Sequence, residues 1–223
     1  MRIALVGAEG QLGAAIAREC HAGHEVIEFT HSMLDATNDD AVREIIARAK
    51  PEAIINCAAY NNVDGAEDHP VDAFNLNAFA VRALARAASR ANAALVHYST
   101  DFVFDGKATQ PYTETDEPNP RGAYAASKLM GEWFAADAPR AYVLRVESLF
   151  GSVKGARPAK GSVASILKSL QSGAEARVFE DRRISPTYVF DAAAATRQLL
   201  ERSAPAGIYH CVNSGSCSWL EFA

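Results

Sequence analysis

The sequence predicts a doubly wound α/β fold, in which a mainly parallel sheet carries helices on both faces. Three observations predict this fold. The 223 residues are 49% hydrophobic and 22% charged, which excludes disordered and collagen-like classes and allows a sizeable core. Short β-type runs alternate with helical patterns, the order that builds βαβ units. A glycine-rich turn joins the first strand to the first helix, where such folds bind ligands.

The first part of the chain shows this alternation in order. Short apolar runs predict strands at Arg2–Val6, Glu25–Phe29, Ala53–Asn56 and Ala94–Tyr98. Apolar residues at steps of three and four predict the helices between them: one with Leu12, Ala15, Ile16 and Cys20 on its buried face, one with Val42, Ile45 and Ile46 that stops before Pro51, and a long one with a single stripe from Val71 through Phe74, Ala78, Val81 and Leu84 to Ala88.

The second part is less regular. Three prolines among Thr, Asp and Glu predict a long irregular loop from Gly106 to Gly122, and such loops are usually functional. Beyond this loop, the pattern predicts helices at Tyr124 to about Ala136 and Val163–Leu170, and strands at Ala141–Val146, Arg177–Phe179 and Ile208–His210.

Gly7-Ala8-Glu9-Gly10-Gln11-Leu12-Gly13 lies between the first strand and the first helix. Glycines there allow a tight turn, close approach of a pyrophosphate and close packing of the helix on the strand, and the helix N-terminus offers N–H groups to the anion. The context favours a Rossmann-type dinucleotide site over an ordinary glycine turn. It predicts that Gly7, Gly10, Gln11, Leu12 and Gly13 bind the cofactor.

The end of the second predicted strand should select the dinucleotide. Glu28 is placed to accept the ribose hydroxyls, although a solvated strand edge explains it as well. His31 is placed to contact a 2′-phosphate, but a surface loop histidine is the simpler interpretation. The sequence therefore leaves NADPH and NADH as alternatives.

Tyr124 and Lys128 lie four residues apart on one face of a predicted helix. An ammonium beside a phenol favours the ionised form and lowers the pKa of the phenol, so that the pair can exchange a proton at neutral pH. Thr100 ends the fourth strand, at the sheet edge where ligands bind, and its hydroxyl can hydrogen-bond a substrate carbonyl. The three residues predict a reductase site.

Other classes of function are disfavoured. A net charge of −5 without a basic cluster gives no footprint for nucleic acid, and no apolar run is long enough to span a membrane. Cys20, Cys57, Cys211 and Cys217 form no C-x-x-C pair and are predicted to be reduced. The scattered histidines predict no metal site. We expect a cytoplasmic protein.

The order of glycine turn, Thr100, Tyr124 and Lys128 resembles the short-chain dehydrogenase/reductase superfamily. Longer strings narrow the resemblance to the dTDP-4-dehydrorhamnose reductase family, namely IINCAAY at 54–60 with Val63-Asp64 and Ala66-Glu67, HYSTDFVFDG at 97–106, PYTETDEP at 111–118 and YAASKLMGE at 124–132. This resemblance covers nearly the whole chain.

The resemblance implies hydride transfer from NADPH or NADH to the C4 keto carbon of a nucleotide-linked 6-deoxy sugar. It implies that Thr100 hydrogen-bonds the carbonyl oxygen, that Tyr124 protonates it, and that Lys128 holds the cofactor ribose and tunes Tyr124. Further residues that would line the cofactor are Asp35 and Ala36 beside the adenine, and Ala58, Ala59 and Tyr60 after the third strand.

Other positions resemble the family less specifically. Asn77 is interpreted as support for the active-site backbone or as a polar outward residue. Arg145 and Pro186-Thr187 resemble positions near the substrate, although a turn back to the sheet also explains the latter. Lys154, Arg157 and Lys160 either bracket a diphosphate or belong to a solvated loop, which is the simpler interpretation.

The chain also departs from the family pattern. Arg145-Val146-Glu147-Ser148 replaces the family's run that ends in tryptophan, so the aromatic surface expected near the sugar is absent. We expect residues 1–148 to form the dinucleotide-binding domain and residues 149–223 a small substrate-side region with segments that return to the main sheet. Because the family's chains continue beyond residue 223, we expect that region to be incomplete or naturally short.

Three functions remain open at this point. The first is an NAD(P)H-dependent reductase of a nucleotide sugar, with a homodimer as a further expectation. The second is a non-catalytic regulatory subunit, because the family's relatives include one that binds methionine adenosyltransferase. The third is a nucleotide-sugar epimerase or dehydratase, which would return the hydride to the sugar.

Overall fold

A six-stranded parallel sheet in the order β2-β1-β3-β4-β5-β7 forms the centre of the molecule. The computed structural model describes residues 1–154, 158 and 161–223. The six strands are β1 (Arg2–Val6), β2 (Glu25–Phe29), β3 (Ala53–Asn56), β4 (Ala94–Thr100), β5 (Arg140–Val146) and β7 (Gly207–His210). The first three have the predicted bounds. The doubly wound fold is therefore confirmed.

Helices cover both faces of the sheet, because successive residues of a buried strand point to opposite sides. Ile3 and Leu5 of β1 pack toward one side, and Ala4 and Val6 toward the other. The side of Ile3 and Leu5 is covered by α1 (Gln11–Cys20) and α8 (Val189–Glu201). The opposite side is covered by α2 (Asp39–Ala49), α5 (Ala80–Ala91) and α6 (Ala123–Ala135).

The predicted long helix after β3 is broken into parts. It comprises α3 (Val63–Asp68), α4 (Pro70–Phe74), a π-helical turn (Asn75–Phe79) and α5. The π turn takes one more residue than an α-helical turn and so shifts the apolar stripe. As a result Ala78, Val81 and Leu84 are buried, but Val71 is 69% exposed, and the prediction of one continuous stripe is wrong at its first residue.

The segment after β5 adds a second small core. It contains α7 (Ser162–Gln171), β6 (Arg183–Ile184), β8 (Cys217–Ser218) and α9 (Trp219–Phe222). β6 and β8 pair antiparallel as a separate two-stranded sheet. Ile166, Ile184 and Trp219 form the buried cluster of this region. A capping box between Ser218 and Glu221 begins α9.

One prediction for this part of the chain is wrong, and one helix was not predicted. Arg177–Phe179 forms no strand; Val178 instead packs its side chain against the small cluster, and the run pairs with no neighbouring strand. The alanine-rich helix α8 was not predicted, although its Val189, Ala192, Ala193, Thr196 and Leu200 are buried in steps of three and four.

Membrane-spanning segments and thiols are two further features of the structure. Within the described residues, no helix is both long and apolar enough to cross a membrane. All four cysteines are free, and Cys20 is buried beneath α1, which agrees with the prediction of unpaired thiols.

Candidate active site

The glycine turn brings the end of β1 and the start of α1 into close contact. Gly7 has a φ of +80°, and its N–H donates to the carbonyl of Phe29 at 3.0 Å. A Cβ atom on Gly7 would lie 2.7 Å from the nitrogen of Ala58, and one on Gly13 would lie 2.2 Å from the carbonyl oxygen of Gly7. Both positions therefore require glycine.

The first turn of α1 begins at a residue without a side chain. Gly10 caps the helix, and within the described part of the chain no side-chain hydrogen bond caps the N–H groups of the first turn. The amide side chain of Gln11 is turned away, because its Nε2 donates to the carbonyl of Gly151 at 2.7 Å. A cradle that a Cβ atom would fill, together with an uncapped ten-residue helix, fits the pyrophosphate of a dinucleotide.

The loop after β3 forms the next wall of the site. Asn56 accepts from the N–H of Ala58 at 3.1 Å, so the strand's last side chain fixes the turn. Asn77, fully buried in the π turn, accepts from the N–H of Tyr60 at 2.8 Å and donates to its carbonyl at 3.0 Å. The same Nδ2 donates to Ser127 of α6 at 3.0 Å. Asn77 thus supports the active-site backbone, one of its two predicted interpretations.

Thr100 and Tyr124 meet at the carboxyl end of β4. Thr100 is 5% exposed, and its Oγ1 accepts from the N–H of Phe102 at 3.2 Å and donates to Asp101 Oδ1 at 3.0 Å. Tyr124, in the first turn of α6, packs its ring edge to face with Phe102, with 5.7 Å between the centroids. The Thr100 hydroxyl is near enough to the Tyr124 phenol to lower its pKa.

Lys128 is buried one turn further along α6. Its Nζ donates to the carbonyl oxygen of Tyr98 at 2.5 Å. Burial lowers the pKa of Lys128 from 10.5 to about 8, although the nearby Glu132 acts in the opposite direction. The ammonium form therefore predominates at neutral pH, as required of a donor to ribose hydroxyls.

The acidity of Tyr124 differs from the sequence prediction. Burial raises its pKa to about 12, the Thr100 hydrogen bond acts to lower it, and the nearby Asp101 carboxyl raises it further. The ammonium of Lys128 was predicted to lower the pKa of Tyr124, but the Lys128 ammonium is bound to the Tyr98 carbonyl, and burial dominates. Tyr124 is thus a protonated phenol at neutral pH, which suits a proton donor.

A buried ion pair underlies these residues and was not predicted. Glu132 of α6 and Arg145 of β5 form a bidentate pair, with Nε–Oε1 at 2.9 Å and Nη2–Oε2 at 2.8 Å, and both side chains are 3% exposed. Ser99 of β4 donates to the same carboxylate at 2.5 Å. This pair fixes α6 on β4 and β5. The pair also engages the guanidinium of Arg145. The position of Arg145 near the substrate stays a prediction.

Two acidic residues lie at the same sheet edge without a predicted role. Asp101 follows β4 and Glu147 follows β5. Glu147 accepts from the N–H of Ser185 at 2.7 Å, and the nearby Thr187 exchanges hydrogen bonds with its backbone. The signal for Glu147 was available, because a carboxyl group stands inside the run that ends in tryptophan in the family.

The remaining residues that the sequence singled out lie in surroundings that differ from one to the next. Glu28 pairs with His21 at 2.9 Å, which favours the solvated-edge interpretation, and His31 is exposed. Asp35 accepts from the N–H and the hydroxyl of Thr37, and these bonds lower the pKa of its carboxyl. Ala36 is buried, and Ala59 is half-buried. Lys154 is exposed, whereas Arg157 and Lys160 lie outside the described residues.

Within the described part of the chain, no group of three or more His, Cys, Asp or Glu side chains is arranged to hold a metal ion. The hydrogen-bond donors of the site are hydroxyl, ammonium and peptide N–H groups. Such donors suit the phosphate, ribose and carbonyl oxygens of a dinucleotide and a keto substrate.

Comparison with known sequences gives a match along the whole chain. The family model described as "RmlD substrate binding domain" matches residues 1–223. The chain is 36% identical over 224 residues to the spore coat polysaccharide biosynthesis protein SpsK of Bacillus subtilis, and the match covers all of this chain and 77% of that protein. It is 37% identical to a dTDP-4-dehydrorhamnose reductase of Mycobacterium tuberculosis, over 97% of this chain and 71% of that protein.

Comparison with solved structures gives the same result. The crystal structure of a dTDP-4-dehydrorhamnose reductase of Bacillus anthracis in complex with NADP superimposes with a TM-score of 0.93 at 34% identity. The superposition covers 99% of this chain and 78% of that one. The sequence comparison and the structure comparison thus point to the same family.

Proposed function

Because the chain belongs to the family of dTDP-4-dehydrorhamnose reductases and their RmlD substrate-binding domain, we propose that it reduces the 4-keto group of a nucleotide-linked 6-deoxy sugar. NADPH or NADH is the hydride donor. The substrate we propose is dTDP-4-dehydrorhamnose, after the name of the relatives. According to this proposal, the protein is an NAD(P)-dependent oxidoreductase of the short-chain dehydrogenase/reductase type.

The observation that carries the proposal is the convergence of three side chains beside the glycine turn. Thr100, at the carboxyl end of β4, lies near the phenol of Tyr124, and Lys128 lies one turn along the same helix as Tyr124. β3 separates β4 from β1, whose carboxyl end carries the glycine turn. Parallel strands place their carboxyl ends at one edge, so both groups face one cleft.

Each residue has a defined part in ketone reduction. NADPH or NADH, when bound, supplies the hydride that reaches the C4 carbon. Thr100 donates a hydrogen bond to the carbonyl oxygen, and Tyr124 transfers the proton of its Oη to that oxygen, which balances the hydride. Lys128 holds the cofactor ribose through Nζ. Gly7, Gly10, Gln11, Leu12 and Gly13 hold the pyrophosphate with backbone groups.

The walls of the cofactor site complete the assignment. Asp35 and Ala36 lie on the adenine side, and Ala58, Ala59 and Tyr60 lie along the turn that Asn77 fixes. We assign residues 1–148 to the dinucleotide-binding domain and residues 149–223 to the substrate side. Support for this division comes from the separate small core around Ile184 and Trp219.

The proposal extends to the protein's surroundings. The free cysteines support a reducing compartment, and we propose the cytoplasm. We also propose a homodimer, because Phe79 and Trp133, on neighbouring helical segments, are 38% and 62% exposed. Size-exclusion chromatography with light scattering tests this, and a mass of one chain would contradict it.

Turnover with a Tyr124→Phe variant tests the proposed function. The purified protein is given dTDP-4-dehydrorhamnose with NADPH or with NADH, and cofactor oxidation is followed by absorbance. We expect stoichiometric oxidation, a preference between the two cofactors, and a loss of about 10²- to 10⁴-fold in kcat for the variant, because its ring cannot donate a proton.

Tyr209→Phe is the matched control, since the Tyr209 hydroxyl bonds the carbonyl of Pro205 away from the site. The control should keep the parent's rate. Cofactor binding without oxidation would favour the regulatory subunit, and conversion of the sugar with no net oxidation would favour the epimerase or dehydratase. Equal rates for Tyr124→Phe and the parent would refute the role of Tyr124.

A further inference from the structure

Asp101 is a titratable group of the site to which the proposed reaction gives no task. It follows Thr100 directly, at the point where β4 ends, and is partly buried. Its Oδ1 lies 3.0 Å from Thr100 Oγ1. The Thr100 hydroxyl is also near the Tyr124 phenol, whose pKa it lowers. Thr100 therefore hydrogen-bonds Asp101 and lies near Tyr124.

A threonine hydroxyl has one proton to donate and two acceptor positions. The N–H of Phe102 takes one acceptor position on Thr100. If Asp101 is ionised, it can only accept, so Thr100 must donate its proton to Asp101 and is lost as a donor to a ketone. If Asp101 is protonated, it donates to Thr100, and the Thr100 proton is free for the substrate carbonyl. The proton on Asp101 thus sets which residue donates in the hydrogen bond between Thr100 and Asp101.

The position of Glu147 favours the protonated form of Asp101. Thr100 is paired with Val146 in the parallel ladder, so Asp101 and Glu147 each follow one member of the same pair. Neighbouring strands lie about 5 Å apart, which brings the two carboxyl groups to the same part of the edge. Burial raises the pKa of Glu147, and the N–H that Ser185 donates to it acts in the opposite direction and favours its charged form. Two nearby carboxyls resist double ionisation, so the proton falls to Asp101.

The acidity of Asp101 agrees with this geometry. Burial first, and then the charge of Glu147, raise its pKa from 3.8 to about 7, against the hydrogen bond from Thr100. The ionisable groups that face Asp101 are Glu147 from the end of β5 and Tyr124 from α6. Lys128, further along α6, is another group in this range, because burial lowers its pKa to about 8.

We propose that Asp101 is a positioning residue that acts through Thr100: its protonated form points the hydroxyl proton of Thr100 at the substrate carbonyl, and Glu147 keeps it protonated. This inference rests on the proposed reductase function. It predicts a reductase that is most active with Asp101 neutral and loses activity as Asp101 ionises.

The pH profile of kcat/KM tests the proposal. For the parent we expect a fall of about tenfold per pH unit above a midpoint near 7. In Asp101→Asn, whose amide Nδ2 donates to Thr100 at every pH, we expect the midpoint to rise by about one unit, toward the titration of Lys128. Asp116→Asn, on the exposed loop, is the matched control and should keep the parent's midpoint.

Glu147→Gln gives the opposite shift. It removes the charge that keeps Asp101 protonated, so the midpoint should move to lower pH. Opposite shifts in the two variants are not expected of a merely structural role. They also separate Asp101 from Lys128, because loss of an acidic neighbour in either variant would lower the pKa of Lys128 or leave it unchanged, and would not raise the midpoint in one variant and lower it in the other. An unchanged midpoint in Asp101→Asn would overturn the proposal.

A measurement without turnover separates this inference from the proposed function. The ¹³C shifts of the aspartate carboxyl groups are titrated in the parent and in Glu147→Gln, and Asp101 is assigned by the signal missing from Asp101→Asn. We expect a midpoint near pH 7 that falls in Glu147→Gln. A midpoint below pH 5 in the parent would overturn the inference even if the enzyme is active. A midpoint near 7 without turnover of the sugar would refute the proposed function alone.

Discussion

The parallel sheet up to β5 and the small core around β6 and β8 are built in different ways. In the sheet, every residue of β3 and β4 is buried, and the ladders continue without a break from β2 to β5. In the small core, each strand has two residues, and Leu167, Phe179 and Leu220 are more than half exposed. The sheet therefore derives its stability from burial on both faces, whereas the small core depends on a few side chains.

The largest difference in the free energy of unfolding should come from two arginine substitutions, one in each region. Arg145→Met removes one partner of the buried pair with Glu132 and leaves a carboxylate without its cation. We expect a loss of about 3–5 kcal/mol in the free energy of unfolding. Arg183→Met breaks an exposed contact with Glu221 at 3.9 Å and should change it by less than about 1 kcal/mol. Urea denaturation measures both, and equal losses would remove the contrast.

Leucine truncations give the next contrast. Leu84→Ala opens a cavity in a fully buried position beneath the sheet, and we expect a loss of about 2–5 kcal/mol. Leu167 of α7 is 52% exposed, so Leu167→Ala should stay within about 0.5 kcal/mol. Thermal and chemical unfolding check this pair. A large loss for Leu167→Ala would show that the small core is buried against another surface in solution.

Asp101, at the carboxyl edge of the sheet, should make the free energy of unfolding depend on pH. Because the folded pKa of Asp101, about 7, exceeds the ordinary value of 3.8, the folded state binds more protons between these values. The contribution of Asp101 is fully present below pH 4 and is lost as the pH rises toward 7, by about 4 kcal/mol. Asp101→Asn should flatten that slope in urea unfolding at pH 4 to 8.

The loop residue Asp116 provides the opposite sign. Hydrogen bonds from Thr113 lower the pKa of its carboxyl, so its contribution is present at neutral pH and is lost as the pH falls. Asp116→Asn should therefore weaken the protein near neutral pH only. The same slope in both variants would contradict the assignment at Asp101.

The smallest contrast concerns two helix caps. Asn38 accepts from the N–H of Ala41 and caps α2 against the sheet, so Asn38→Ala should lower the global free energy of unfolding by about 1 kcal/mol. Ser218→Ala removes the cap of the four-residue helix α9. We expect faster hydrogen exchange in α9 with little change in global unfolding, because the small core opens locally. Equal global losses would show that the two regions unfold together.

The predictability of the fold follows the same division. The bounds of β1, β2 and β3 agree with their apolar runs, since a strand buried on both faces needs an uninterrupted apolar run. β6 and β8 were missed because two residues carry no periodicity. Their pairing depends on contacts between positions that lie more than thirty residues apart.

The site was predictable where backbone geometry demands one residue type. Gly7 and Gly13 are required by contacts with backbone atoms, and such requirements leave a spaced pattern. The assignment of Thr100, Tyr124 and Lys128 stays a prediction, which the structure supports by bringing them to one edge. The pKa of Tyr124 was not predictable, because burial depends on residues far along the chain, among them Ala66 and Ala73.

The π turn at Asn75–Phe79 makes chain length itself a determinant of the active site. The N–H of Ala80 bonds the carbonyl five residues back, at Asn75, and this spacing absorbs one residue beyond a regular helix. Deletion of one residue here would restore regular helix and turn everything before it by about 100° relative to α5. Asn77 would no longer face Tyr60, and the cofactor wall would lose its support although no residue touching the cofactor had changed. A single-residue gap at this point in an alignment of such chains would therefore mark a difference in the active site, and not a neutral variation in a surface helix.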